Sequence, residues 1–185
     1  MIAMGLTSEQ VVDRIPSDTG VIGVSCMFSQ DWPEVRRLID LTRERFPSAT
    51  IVAGGEHVTA VREFTIESCP AVDCCVLGEG EETLVELVDA LDKGDSLDTV
   101  GGIIFRDADN TIRCNPSRAR IRNIDEIPAP AWDLAPIENY LDQGLAFGVD
   151  RGRSMPILAT RGCPYQCTFC SNPQMWTTRW LSRDP

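Results

Sequence analysis

The sequence predicts an α/β fold built on a doubly wound parallel sheet, and three observations predict it. Short apolar, β-branched runs alternate with longer amphipathic stretches through the first hundred residues. The second and third of these runs end in glycine-rich loops, Gly54-Gly55 and Gly78-Glu79-Gly80, each directly before a helical stretch. Hydrophobic residues make up 43% of the chain and charged ones 24%, a globular rather than a disordered balance.

Taken in order, residues 7–15 read as a short helix, with Thr7 or Ser8 capping ahead of Val11, Val12 and Ile15. Val21-Ile22-Gly23-Val24-Ser25 reads as a buried strand. In the next helix Asp31 and Glu34 make a capping-box-like pair, and Trp32, Val35, Leu38, Ile39, Thr42 and Phe46 share one face. Ala49 to Ala53 is the second strand, residues 57–68 a helix, and Val72 to Leu77 the third strand. Leu84, Val85, Leu87, Val88 and Leu91 mark an amphipathic helix that Gly94 stops. Ligands of such folds sit at the carboxyl ends of the strands, where both glycine-rich loops fall, and glycine lets a backbone come close to a ligand.

Residues 102–106 and 111–114, joined by Asp107-Ala108-Asp109-Asn110, read as a β-hairpin. Residues 115–136 carry Pro116, Pro128, Pro130 and Pro136 and read as a strap. The expected organisation is therefore a sheet domain over residues 1–100, a hairpin and proline-rich linker over 101–150, and a further segment over 151–185.

Composition narrows the function. A net charge of −11 opposes a nucleic-acid groove, which needs clustered basic residues, and Lys93 is the one lysine, so there is no polybasic membrane patch. The opening residues lack a basic region and a long apolar core, and no run reaches the ~18 apolar residues a membrane helix needs. Eight cysteines without a secretory signal suit a reducing cytoplasm. From Asp150 onward five arginines face two aspartates, which reads as a solvated or inter-domain surface before an anion site.

The chemistry concentrates in Thr160-Arg161-Gly162-Cys163-Pro164-Tyr165-Gln166-Cys167-Thr168-Phe169-Cys170. Three thiolates spaced C-x-x-x-C-x-x-C can bind three irons of a cubane cluster and leave the fourth open to a small molecule. A structural zinc site would want a fourth Cys or His, and none follows Cys170. A disulfide with a spare thiol is the other alternative, and nothing marks the chain as secreted. Gly162 and Pro164 favour a strand followed by an irregular loop over a helix.

This cysteine array, with Phe169 just before its last member, resembles the cluster loop of the radical S-adenosylmethionine (SAM) superfamily. The resemblance implies a 4Fe-4S cluster held by Cys163, Cys167 and Cys170 and SAM chelated at the open iron. One-electron cleavage of SAM would then give a 5′-deoxyadenosyl radical. Phe169 matches an aromatic position near the adenine. An electron donor such as flavodoxin or ferredoxin is implied as a partner.

A dinucleotide would be the default ligand of the first domain, since Gly78-x-Gly80 imitates half of the nucleotide-binding fingerprint. Thr83 stands where the third glycine belongs, however, and Glu79, Glu81 and Glu82 crowd the helix start that would hold a pyrophosphate. Ser25-Cys26-Met27 followed after 26 intervening residues by Gly54-Gly55 resembles instead the Ser-x-Leu and Gly-Gly parts of cobalamin-binding domains, with Met for Leu. By that resemblance the domain is Rossmann-like, and Ser25, Met27, Gly54 and Gly55 surround the nucleotide tail of cobalamin. Gly78 and Gly80 belong to the next loop. The Asp-x-His-x-x-Gly part is missing. The only histidine, His57, is expected either to touch the tail from its loop or to cap its neighbours at a helix start.

The two resemblances together imply part of a cobalamin-dependent radical SAM enzyme, for methyl transfer, cyclisation or rearrangement of a small-molecule or peptide substrate. Only the beginning of a radical SAM (β/α) barrel fits, with its first strand, the cluster loop and the start of a helix around Gln174–Leu181. A truncated chain, lacking the first strand of the cobalamin domain and most of a barrel and inactive alone, is therefore expected. The rivals are a non-catalytic cobalamin-binding module with a vestigial cysteine loop, and a radical SAM protein whose first domain is empty.

Overall fold

The computed structural model of the chain describes residues 5–143, 152–154, 157–176 and 178–184. These divide into two compact units, residues 1–120 and 121–185.

The first unit opens with α1 (Ser8–Val12), where Thr7 caps the helix and exchanges hydrogen bonds with Gln10. The first strand, β1 (Val21–Ser25), runs parallel to β2 (Thr50–Gly54), which runs parallel to β3 (Cys74–Val76). Helix α2 (Trp32–Arg45) connects the first two strands; α3 (Glu56–Ala60) and α4 (Arg62–Ser68) connect the next two. The last helix of the unit, α5 (Gly80–Lys93), ends as expected at Gly94, held at φ 69°. The hairpin β4 (Ile103–Arg106) and β5 (Ile112–Cys114) then joins β3 antiparallel, giving a mixed five-stranded sheet in the order β1-β2-β3-β4-β5. The edge is antiparallel because residues 94–102 return to the start of α5, where the Thr83 hydroxyl donates to Gly101 O and the Leu77 amide to Gly102 O, so that β4 begins beside Val76 at the carboxyl end of β3.

Side chains alternate across this sheet. Ile51, Ala53, Cys75 and Ile104 pack under α2, α3 and α4 with Trp32, Ile39, Val58 and Ile66. Val52, Cys74, Val76, Ile103 and Phe105 face the other way and pack with Leu87 and Ala90 of α5. Helices on both faces bury both sets of side chains, so the short strands are near-continuously apolar.

Three local expectations are corrected. Asp31 makes no side-chain cap bond, because a 3-10 turn (Ser29–Asp31) leads into α2; Glu34 accepts from the Ser8 hydroxyl at 2.7 Å and pairs with Arg37. The helix expected over 57–68 is two helices, broken at Val61 (φ −130°, ψ 44°), which lets Val58 and Ile66 both reach the core fully buried. In the second unit, α6 (Ile137–Asp142) is followed by β6 (Thr160–Arg161), which pairs antiparallel with β7 (Leu181–Ser182). A helix had been expected to start around Gln174–Leu181. Instead α7 spans only Asn172–Met175, and the chain after it returns to β6, where the Arg183 amide bonds to Ala159 O at 2.9 Å. The β-branched Thr178 and the aromatic Trp176 and Trp180 lower the helix propensity there. A two-residue antiparallel pair does not amount to a parallel barrel.

No helix among the described residues is long and apolar enough to cross a membrane.

Candidate functional site

The register of β1 on β2 sets Ser25 beside Gly54. Alternation puts both on the sheet face that carries Val52 and Val76, the face covered by α5. That helix packs over β3 and stops short of β1, where Gly23 and Ser25 are exposed. A Cβ on Gly23 would meet nothing within 4 Å, and one on Gly54 would meet only Val76 O at 3.8 Å. The carboxyl end of the sheet therefore offers a shelf of backbone with a single hydroxyl, open on one side. Such a surface accepts a flat or extended ligand against main chain, which a valine or leucine at Gly23 or Gly54 would prevent.

Gly55 is a glycine for a different reason. Its φ is 101°, and a Cβ there would stand 2.5 Å from Cys26 O. The close approach lets the ladder run past the strand ends: the Cys26 amide bonds to Gly54 O at 2.8 Å and the His57 amide to Cys26 O at 3.1 Å. Gly78, at φ 71°, turns the chain out of β3, with the Arg120 guanidinium 3.3 Å from where its Cβ would be. A Cβ on Gly80 would lie 3.5 Å from Val76 Cγ1, so Gly80 serves the packing of the α5 start on its strand.

The predicted residues are thus only partly brought together. Ser25, Gly54, Gly55, Gly78 and Gly80 gather at the carboxyl ends of β1, β2 and β3. Met27 projects from the loop after β1, 54% exposed. The His57 ring lies across the sheet from Ser25, 5% exposed and stacked on Trp32 at 4.9 Å, with Nδ1 2.9 Å from the Ser29 hydroxyl. Its Nε2 is buried without a partner, and burial pushes its pKa below the ordinary imidazole value. His57 holds the loop after β1 against α3 from beneath.

Two residues at this end gave no sequence signal. Thr59, one turn into α3, contacts both glycine loops: its hydroxyl donates to Gly55 O at 3.0 Å and accepts from the Gly78 amide at 2.9 Å. Arg120 reaches Gly78 from 42 residues along the chain, a proximity that no local pattern encodes.

In the second unit Cys163 is half-buried while Cys167 and Cys170 are exposed, and the Cys170 amide bonds to Cys167 O at 3.0 Å. Phe169 is 92% exposed. The three thiols lie on an irregular segment after β6, and among the described residues no three Cys, His, Asp or Glu side chains are gathered closely enough to hold a metal ion. By contrast Cys26, Cys69, Cys74 and Cys75 are buried, and burial raises their thiol pKa values, to about 12 for Cys75, so these are core residues without thiolate character.

A sheet with open glycine loops at the carboxyl ends of parallel strands defines a Rossmann-like cofactor-binding protein. Residues 1–88 match the family model of the B12 binding domain. An uncharacterized methyltransferase of Pyrococcus horikoshii is 36% identical over 97% of this chain and 37% of its own length. The anaerobic magnesium-protoporphyrin IX monomethyl ester cyclase of Synechocystis is 32% identical over 97% of this chain and 35% of its own. The structure of the cobalamin-dependent SAM radical enzyme OxsB, with aqua-cobalamin and SAM bound, superposes with a TM-score of 0.74 at 26% identity, covering 97% of this chain and 24% of OxsB. The chain thus spans about a third of the curated relatives it matches. The chain is thus similar over residues 1–88 to B12 binding domains and over nearly its whole length to these longer proteins.

Proposed function

We propose that this chain holds cobalamin on the shelf at the carboxyl ends of β1 and β2, as part of a cobalamin-dependent radical SAM enzyme. The observation that carries the reading is the pairing of Ser25 with Gly54 on the uncovered half of the α5 face. The shelf fits the nucleotide tail of cobalamin: Ser25 offers a hydroxyl to a polar edge, and Gly23 and Gly54 leave main chain bare along it. Gly55 and Gly78 fix the flanking turns, Gly80 seats α5, Met27 lines the mouth and His57 braces the loop from the opposite face.

Cys163, Cys167 and Cys170 would hold a 4Fe-4S cluster with SAM at the open iron, and Phe169 would border the adenine. With these groups bound, the chemistry supplied would be one-electron activation of carbon, for methyl transfer, cyclisation or rearrangement on a substrate this chain does not specify. The relatives named include a methyltransferase and a cyclase, so the resemblance leaves the reaction open. A flavodoxin or ferredoxin would supply the electron in a cytoplasmic setting.

The test is hydroxocobalamin titration together with anaerobic reconstitution. The expected result is saturable corrinoid binding plus about four irons per chain, the iron being lost on Cys163→Ala, Cys167→Ala or Cys170→Ala. Corrinoid binding without iron would identify a non-catalytic cobalamin module; iron without corrinoid would leave a first domain that holds no cofactor.

A further inference from the structure

One hydroxyl bonds to both glycine loops. Thr59 lies on α3, directly after the Gly54-Gly55 turn, and its Oγ1 has one proton to give and two lone pairs to accept with. The proton goes to Gly55 O at 3.0 Å, the carbonyl that also receives the Thr59 amide at 3.0 Å. One lone pair takes the Gly78 amide at 2.9 Å. Gly55, at φ 101°, and Gly78, at φ 71°, themselves offer no side chain at these turns. A half-buried hydroxyl with both bonds made to main chain is a spacer of fixed length between the end of β2 and the end of β3.

We infer that Thr59 is a positioning residue for the cofactor, setting the separation of the two glycine loops against which the cobalamin tail is held. This rests on the cobalamin reading above. Removing the hydroxyl while keeping the shape of the side chain frees the Gly78 amide and lets the β3 turn drift from the β2 turn. The shelf then has to be ordered by the ligand itself, and affinity falls by what that ordering costs. Deleting one such bridge corresponds to about a tenfold loss of affinity.

The experiment titrates the full chain with hydroxocobalamin, following the corrin absorption bands, in the wild type, Thr59→Val and Thr59→Ser, with urea midpoints of each apo chain alongside. Affinity about tenfold weaker in Thr59→Val, restored in Thr59→Ser, with little change in the urea midpoint, supports the inference. Equal affinity in the wild type and Thr59→Val overturns it and leaves the cobalamin reading standing. Affinity and midpoint falling together, with Thr59→Ser behaving like Thr59→Val, overturns it in favour of a merely structural threonine. A wild-type chain that does not bind hydroxocobalamin overturns the cobalamin reading itself, and this inference with it.

Discussion

At Gly55 two constraints coincide, the positive φ and the Cys26 carbonyl 2.5 Å from any Cβ. Gly55→Ala is expected to cost about 2–4 kcal/mol, read as a lower urea midpoint of the apo chain. Gly54→Ala, with only Val76 O at 3.8 Å, should change that midpoint little and show instead in corrinoid affinity. Two neighbouring glycines that look alike in the sequence are thus separated by experiment. His57 gives a pH signature. Its folded pKa lies below the ordinary 6.5 because the ring is buried, so the unfolded chain takes up the proton first as pH falls. Stability is fully present above 6.5 and is lost progressively as pH falls below it. Urea midpoints measured from pH 7.5 to 5.5 should fall more steeply in the wild type than in His57→Gln.

Among the elements, the amino-terminal ends of β2 and β3 are tied by Arg43 from the last turn of α2. Its guanidinium bonds to Pro47 O, Ala49 O and Ala71 O and pairs with Asp73, whose carboxylate also accepts the Ile51 amide at 2.7 Å. Arg43→Met keeps the packing of the stem and leaves these acceptors without their donor. A loss of about 2 kcal/mol in chemical unfolding is expected. Helices and strands with their own period were legible in advance: α5 to its glycine stop, β1 to its residue, the hairpin to its turn at Asn110. The break at Val61 and the 3-10 entry to α2 were not, because both answer to where Val58, Ile66 and Trp32 must reach in the core rather than to local propensity.

For the molecule as a whole, the proposed corrinoid shelf and the cysteine loop fall in different compact units. Exchanging all three of Cys163, Cys167 and Cys170 for Ala should therefore abolish iron uptake yet leave hydroxocobalamin affinity within about twofold. A parallel loss of both would show that the two sites do not form independently. The α/β class of the first unit, the glycine loops at the strand ends and the cysteine array were all readable from the chain, because each depends on spacing of a few residues or on one residue type at one place. Only the folded structure revealed that Ser25 and Gly54 share an uncovered face, that His57 lies across the sheet from them, and that Thr59 joins the two glycine turns. Those facts depend on strand register and on which helix covers which strand, and such contacts between residues far apart in sequence are settled by packing the whole sheet at once.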